Sequence, residues 1–373
     1  MSPPGTHRRT RSIGIFGTAK NTGKTTTVNA LIRSAAAQGL SLGLTGIGYD
    51  GEAVDNVTGL PKPRLWCPAG TVVATARRTL ELATAGLEIL SETGITTALG
   101  EVVVARVTRP GLALLAGPNR GTDLRQVLER MQASQPGLVL VDGALNRLSP
   151  MAVVDGLVMA TGAARQPDPG TLAAEAAALV HLLDLPLARV PRPGPEQPAE
   201  EQGRLVVGSL LTPEAVAQAA RRVPGEGTRG RLTVEVRGAV TEAGLRELAR
   251  LLGARLARTT LVLPVGPRLV AGVEPRGLWT ALEEMAAAGA RIRTTRRIPI
   301  VAVTVNPFFP RLEGERYRPD WVAARELQAA VARAVDRPVH DVVRQGGARL
   351  LEVIQGRKNL YTRKSPETAK DRL

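Results

Sequence analysis

Residues 17–27 read GTAKNTGKTTT, directly after the apolar run IGIF at 13–16 and directly before a stretch patterned as a helix. A strand, a short glycine-bearing loop and a helix in that order make a phosphate cradle. Several backbone N–H groups converge on one anion, and the helix adds the positive end of its dipole. Lys24 is the cation placed to reach β and γ phosphates, and Thr25 the hydroxyl placed to meet Mg²⁺. The candidate nucleotide-binding residues are Gly17, Thr18, Ala19, Lys20, Asn21, Thr22, Gly23, Lys24, Thr25 and Thr26. A Gly-Lys-Thr arising by chance at a turn would not carry an apolar strand before it and a helix after it.

The loop departs from the pattern G-x-x-x-x-G-K-[ST]. Counting back from Gly23, the first position is Thr18, and the leading glycine, Gly17, sits one residue early. In this offset the loop resembles that of dethiobiotin synthetase and its relatives, which also begins Gly-Thr and ends Gly-Lys-Thr. The signature lysine of MinD-type ATPases would fall at Ala19, and Lys20 does not meet it. A dimer that inserts a lysine into its partner's site is therefore not implied.

Downstream, Val28, Leu31, Ile32, Ala35 and Ala36 fall at helical spacing, Gly39 closes the helix, and 41–45 reads as a strand. Periodicity then vanishes over 47–70, IGYDGEAVDNVTGLPKPRLWCPAG, a long segment of the kind that carries function. Asp50, Glu52 and Asp55 lie in it, and one of them is expected to position water or contact magnesium, with Asp50 the catalytic candidate. Solvated loop acids account for the others. The stiff basic run Pro61-Lys62-Pro63-Arg64 reads equally as an anion-binding loop or a solvated turn. Cys67 has only Arg64 near it in sequence and reads as a buried or idle thiol.

A second nucleotide-site signal follows the helix marked by Leu124, Val127, Leu128 and Met131. The strand 138–141 ends in Asp142-Gly143, so Asp142 stands where open α/β sheets place their ligands. There it holds Mg²⁺ through water and, with Lys24, completes the catalytic set of Lys24, Asp142 and Asp50. The alternative is an ordinary Asp-Gly turn.

The rest of the chain reads as α/β. A helix is expected at about 71–85, two strands at 101–107 and 112–116 joined by Arg109-Pro110-Gly111, a strand at 156–160 and a helix at 171–183. Pro- and Glu-rich residues near 190–202 mark a boundary. Strand-like runs at 204–211, 232–236, 261–264 and 299–305 then alternate with helices, and Thr304-Val305-Asn306-Pro307 ends a strand as a binding loop or a plain turn. The expected division is a basic, disordered start at 1–11, a P-loop NTPase domain with a mainly parallel sheet at 12–188, a linker at 189–203, a second α/β domain at 204–345 and a charged, largely disordered tail at 346–373, most polar from Arg357.

Composition narrows the function classes. With 43% hydrophobic residues in 373, the chain supports two ordinary cores. No apolar run reaches the roughly 18 residues of a membrane span, and the basic start leads into a strand, so a cytoplasmic protein is expected. One cysteine excludes an internal disulfide, and His7, His181 and His340 are scattered. A net charge of +15 invites a nucleic-acid reading, but only six of the 49 basic residues are lysines, and the arginines are dispersed. Three Phe, three Tyr and three Trp leave little for base stacking, so no specific nucleic acid is expected.

Taken in order, GTAKNTGKTTTVNALI, LTGIGYDGE, PKPRL, GTVVATA, TGITTALGEVVVARV, LAGP, VDGALNR and MATGAA, with VAVTVNPFFP further on, give a chain that resembles the ATP-binding reactivase subunit encoded with lysine 5,6-aminomutase and ornithine 4,5-aminomutase. The resemblance covers most of 14–164. It implies a chaperone-like ATPase, with ATP and Mg²⁺, that lets damaged cobalamin leave an adenosylcobalamin-dependent aminomutase. The aminomutase is then the partner, with a second reactivase subunit or a homodimer possible. On this reading Lys24 and Thr25 serve phosphate and metal, Asp142 couples hydrolysis to movement, and 50–64 is the switch. The Asp-x-His-x-x-Gly base-off motif is absent, since Pro338 precedes His340 by two residues, which leaves the corrinoid to the partner. Two other readings stand beside it: an ATP-dependent small-molecule ligase of the dethiobiotin synthetase type, and a nucleotide-gated binding protein.

Overall fold

The computed structural model describes residues 10–49, 65–188, 203–221, 231–270, 273–314 and 316–356. Asp50, Glu52, Asp55, the run at 61–64, the linker at 189–202 and the tail from 357 lie outside them.

The protein is α/β, with a large, mainly parallel sheet. Nine strands stand in the order Val339–His340, Ile300–Asn306, Gly156–Gly162, Arg11–Gly17, Leu138–Ala144, Leu42–Gly46, Val72–Ala76, Gly100–Arg109 and Gly86–Thr97. The first seven run parallel, Gly100–Arg109 pairs antiparallel with Val72–Ala76, and Gly86–Thr97 pairs antiparallel with Gly100–Arg109. Central strands of such a sheet are covered on both faces and read as unbroken apolar runs. Residues 12–17 are accordingly buried throughout, with Ile13, Ile15 and Phe16 fully so.

The helix Lys24–Ala37 follows the first strand and buries Val28, Leu31, Ile32 and Ala35. It ends at Gly39, whose φ of +63° lets the chain turn back while Leu40 N–H bonds the Ala35 carbonyl at 2.9 Å. Against this helix lies a second one, Ala348–Gln355, whose Leu350, Leu351 and Ile354 are fully buried in the same core. The contact is close: a Cβ on Gly347 would come within 2.4 Å of the Ala30 carbonyl.

That helix corrects the expected tail, since 348–355 is core. The apolar stripe at 350, 351, 353 and 354 decides this over the charged residues that follow. The linear division gives way as well. The described residues between 10 and 173 group with those between 300 and 356 in one compact unit, and the described residues between 174 and 299 form the other. Strand Ile300–Asn306, expected in a second domain, pairs with Gly156–Gly162 in the large sheet. The helix expected at 71–85 is a strand, Val72–Ala76, followed by one helical turn, Arg77–Leu80. A fully buried apolar run is ambiguous between the two periods, and here the sheet takes it. The hairpin Gly86–Thr97 with Gly100–Arg109 replaces the expected pairing across Pro110, and Gly111–Ala113 instead pairs with Leu65–Cys67.

The second unit holds four parallel strands in sequence order, Arg204–Val207, Leu232–Val236, Thr259–Leu263 and Arg291–Thr294. Helices Glu242–Leu252 and Pro275–Ala287 belong to it. Among the described residues, no helix is long and apolar enough to cross a membrane.

Candidate nucleotide site

Parallel strands bring their carboxyl ends to one edge, and there Gly17 pairs with Ala144 on one side and Ala160 on the other, while Gly162 pairs with Asn306. Ligands of open α/β sheets bind at this edge. The loop 18–23 lies on it between the first strand and the helix Lys24–Ala37.

Two residues of the loop have left-handed backbone, Asn21 at φ +62° and Gly23 at φ +87°. Gly23 is the N-cap, so no side chain caps the helix, and no acidic residue stands in its first turn. The positive end of the helix is thus not neutralised by its own residues, as an anion site requires. Gly17 must be small for a different reason: a Cβ there would lie 2.9 Å from Thr22 Oγ1. Thr22 is buried and donates to the Ala19 carbonyl at 2.9 Å, which holds the loop compact.

The candidate residues separate by role. Thr18 is turned into the sheet, with its N–H on the Ala160 carbonyl and its hydroxyl on Thr161 Oγ1, both at 2.9 Å. It frames the loop and offers a ligand neither group. Lys20 is exposed, while Lys24, Thr25 and Thr26 form the half-buried first turn of the helix. Lys24 Nζ reaches Asp142 Oδ2 at 3.0 Å, with both side chains only 13% and 12% exposed. Asp142 sits in the adjacent strand opposite Ile15, and its own carbonyl accepts the Ile47 N–H at 2.8 Å. That last bond ties the start of the aperiodic segment to the same edge.

Sequence reasoning pointed to Thr304–Pro307 as a loop but did not place it here. Thr304 Oγ1 lies 2.9 Å from Thr27 Oγ1 in the helix after the phosphate loop, and Thr27 Oγ1 also bonds the Gly23 carbonyl at 3.0 Å. Asn306 Nδ2 donates to the Asn21 carbonyl at 2.9 Å. The legible signal was an apolar strand ending in polar residues, the same signal that marked Asp142.

The donor set fits a nucleotide phosphate: an uncapped helix start, a lysine at its first position and a compact loop. Among the described residues no three His, Cys, Asp or Glu side chains group to hold a metal alone. Mg²⁺ carried in with phosphates needs fewer protein ligands, and the Thr25 hydroxyl and Asp142 are of the right chemistry. Cys67 is fully buried, and burial pushes its thiol up to about 12, so it offers no nucleophile. No family model, curated protein or solved structure matches this chain.

Proposed function

We propose that the protein binds ATP with Mg²⁺ at the loop 17–26 and hydrolyses it as the motor subunit of a reactivase for an adenosylcobalamin-dependent aminomutase. The single observation that carries the nucleotide part is the 3.0 Å contact of Lys24 with Asp142 at the carboxyl edge of neighbouring parallel strands. Without phosphate, the lysine neutralises the aspartate; a bound phosphate would draw the ammonium to itself, and Asp142 would hold Mg²⁺ through water. Mg²⁺, when bound, supplies Lewis-acid stabilisation of the charge that develops on transfer. Thr25 offers its hydroxyl to the metal, and the loop N–H groups hold the phosphates in line. The order of motifs over 14–164 supports the choice of partner, and the absence of a base-off motif supports leaving the corrinoid to that partner.

The test is an ATPase assay joined to a reactivation assay. The purified protein should release phosphate from ATP and restore turnover to an aminomutase inactivated by loss of its adenosyl group, with any second reactivase subunit supplied. Hydrolysis without restoration would refute the reactivase. ADP release only with an added carboxylate or amine would instead establish a ligase.

A further inference from the structure

Of the chain's three Phe, three Tyr and three Trp, four belong to the two strands of one ribbon, Phe308–Glu313 with Arg316–Trp321. Its register pairs Phe308 with Trp321, Pro310 with Pro319 and Leu312 with Tyr317, while Arg311 faces Arg318 and Phe309 faces Asp320. Side chains alternate along a strand, so one face is Phe308, Pro310, Leu312, Tyr317, Pro319 and Trp321, without a charge. The opposite face carries the charges, with Arg311 paired to Asp320 at 3.1 Å, Arg318 paired to Glu313 at 3.2 Å, and Arg316 beside them. Phe308 and Trp321 meet edge to face at 5.9 Å, yet Leu312 and Trp321 remain 59% and 60% exposed. An isolated two-stranded ribbon is marginal in water, and an apolar face left open on one is a docking surface.

The ribbon begins two residues after Asn306. The Asn306 side chain gives its Nδ2 hydrogen to the Asn21 carbonyl at 2.9 Å and accepts the Phe308 N–H on Oδ1 at 3.3 Å. One amide therefore touches the phosphate loop and the first ribbon residue together. A Cβ on Gly23 would lie 3.0 Å from Asn306 Cβ, so Asn306 stands directly beside the loop at its glycine as well as at Asn21. At the ribbon's base, Val322 N–H closes onto the Pro307 carbonyl at 3.0 Å, so the two strands move as a piece.

We propose that the uncharged face of this ribbon docks an acidic partner protein, and that Asn306 couples the docking surface to the phosphate loop. Charge selects the occupant. Two copies of this chain would bring +15 against +15, whereas an acidic protein gains from the same field on approach. The coupling rests on the nucleotide-binding reading above; the docking does not.

Three measurements test it. A photo-crosslinking amino acid at position 312 of the full chain, expressed in its own cells, should capture a protein of acidic isoelectric point, identified by mass spectrometry. That protein, once purified, should bind wild type and bind Leu312→Asp and Trp321→Ser at least tenfold more weakly, while basal phosphate release by both variants stays at the wild-type level. Capture of another copy of the chain, or equal binding by both variants, overturns the docking. Deuterium exchange over 308–321 should slow on adding MgATP to wild type, and Asn306→Ala should remove that protection at matched nucleotide occupancy. Unchanged exchange with nucleotide bound, shown by equilibrium dialysis, overturns the coupling. Failure to bind ATP in the dialysis refutes the proposed function instead, and the crosslinking arm still decides the docking.

Discussion

Lys24 Nζ lies 3.0 Å from Asp142 Oδ2 across 118 residues of sequence, where two neighbouring parallel strands end. Both side chains are mostly withdrawn from water, 13% and 12% exposed, so their contact is a partly buried ion pair. Lys24→Ala should weaken ATP binding at least tenfold and, by removing one partner of a mostly buried carboxylate, cost about 1–3 kcal/mol of stability. Asp142→Asn should bind ATP and fail to hydrolyse it. Calorimetry and phosphate release separate the two, and unchanged ATP affinity in Lys24→Ala would refute the loop's assignment.

Gly23 is held at φ +87° beside Asn306, so an alanine there is both strained and crowded. Gly23→Ala should destabilise the protein by about 1–2 kcal/mol and abolish nucleotide binding. Gly39→Ala, at φ +63° with open space around it, should show a stability loss of similar origin but bind nucleotide as wild type. Equal nucleotide affinity in the two variants would show that the loop tolerates a side chain.

Leu351 of the helix Ala348–Gln355 is fully buried in the core that also takes Val28, Leu31 and Ile32. Leu351→Ala should cost about 2–5 kcal/mol in denaturant unfolding, and a chain ending at 346 should fail to fold. A truncated chain that melts like wild type would mean that the helix contributes nothing to the core.

Cys67 should stay a thiol far into alkali, because burial raises it from 9.0 to about 12. Ellman's reagent should label it slowly in the native protein and fully in denaturant. Above pH 9 the unfolded chain loses a proton that the folded chain keeps, so this residue's contribution to stability falls as pH rises towards 12. Cys67→Ala should remove that part of the alkaline decline, seen as a smaller drop in Tm.

His340 is buried, its Nε2 has no hydrogen-bond partner among the described residues, and burial together with the nearby Arg349 holds it below its ordinary 6.5. The unfolded chain therefore takes up a proton below pH 6.5 that the folded chain refuses, and stability is lost as pH falls through that range. Melting curves from pH 7 to pH 5 should decline less steeply for His340→Gln than for wild type. Parallel declines would place the acid sensitivity elsewhere.

The strand, loop and helix around Lys24 were legible because every constraint on them is local. An apolar run before a glycine-bearing turn and a 3.6-residue stripe after it admit one reading, and the strand ending at Asp142 carries the same kind of signal. Strand Leu232–Val236 and the helix marked by Leu124 to Met131 were legible for that reason too. Residues 72–76 were misread because VVATA is buried on every face and shows no alternation, and only the neighbouring strands show whether it is wound or extended.

The amino-acid sequence by itself determined the α/β class and the strand, loop and helix around Lys24. Tertiary structure alone decided which distant residues complete the edge. A parallel strand is joined to its neighbours by crossovers of any length, so nothing local announces that Ile300–Asn306 returns beside Gly156–Gly162, or that Asn306 then meets Asn21. Nor could the charged C-terminal end announce that Leu350, Leu351 and Ile354 close the core, because burial belongs to the assembled sheet and helices and not to the segment.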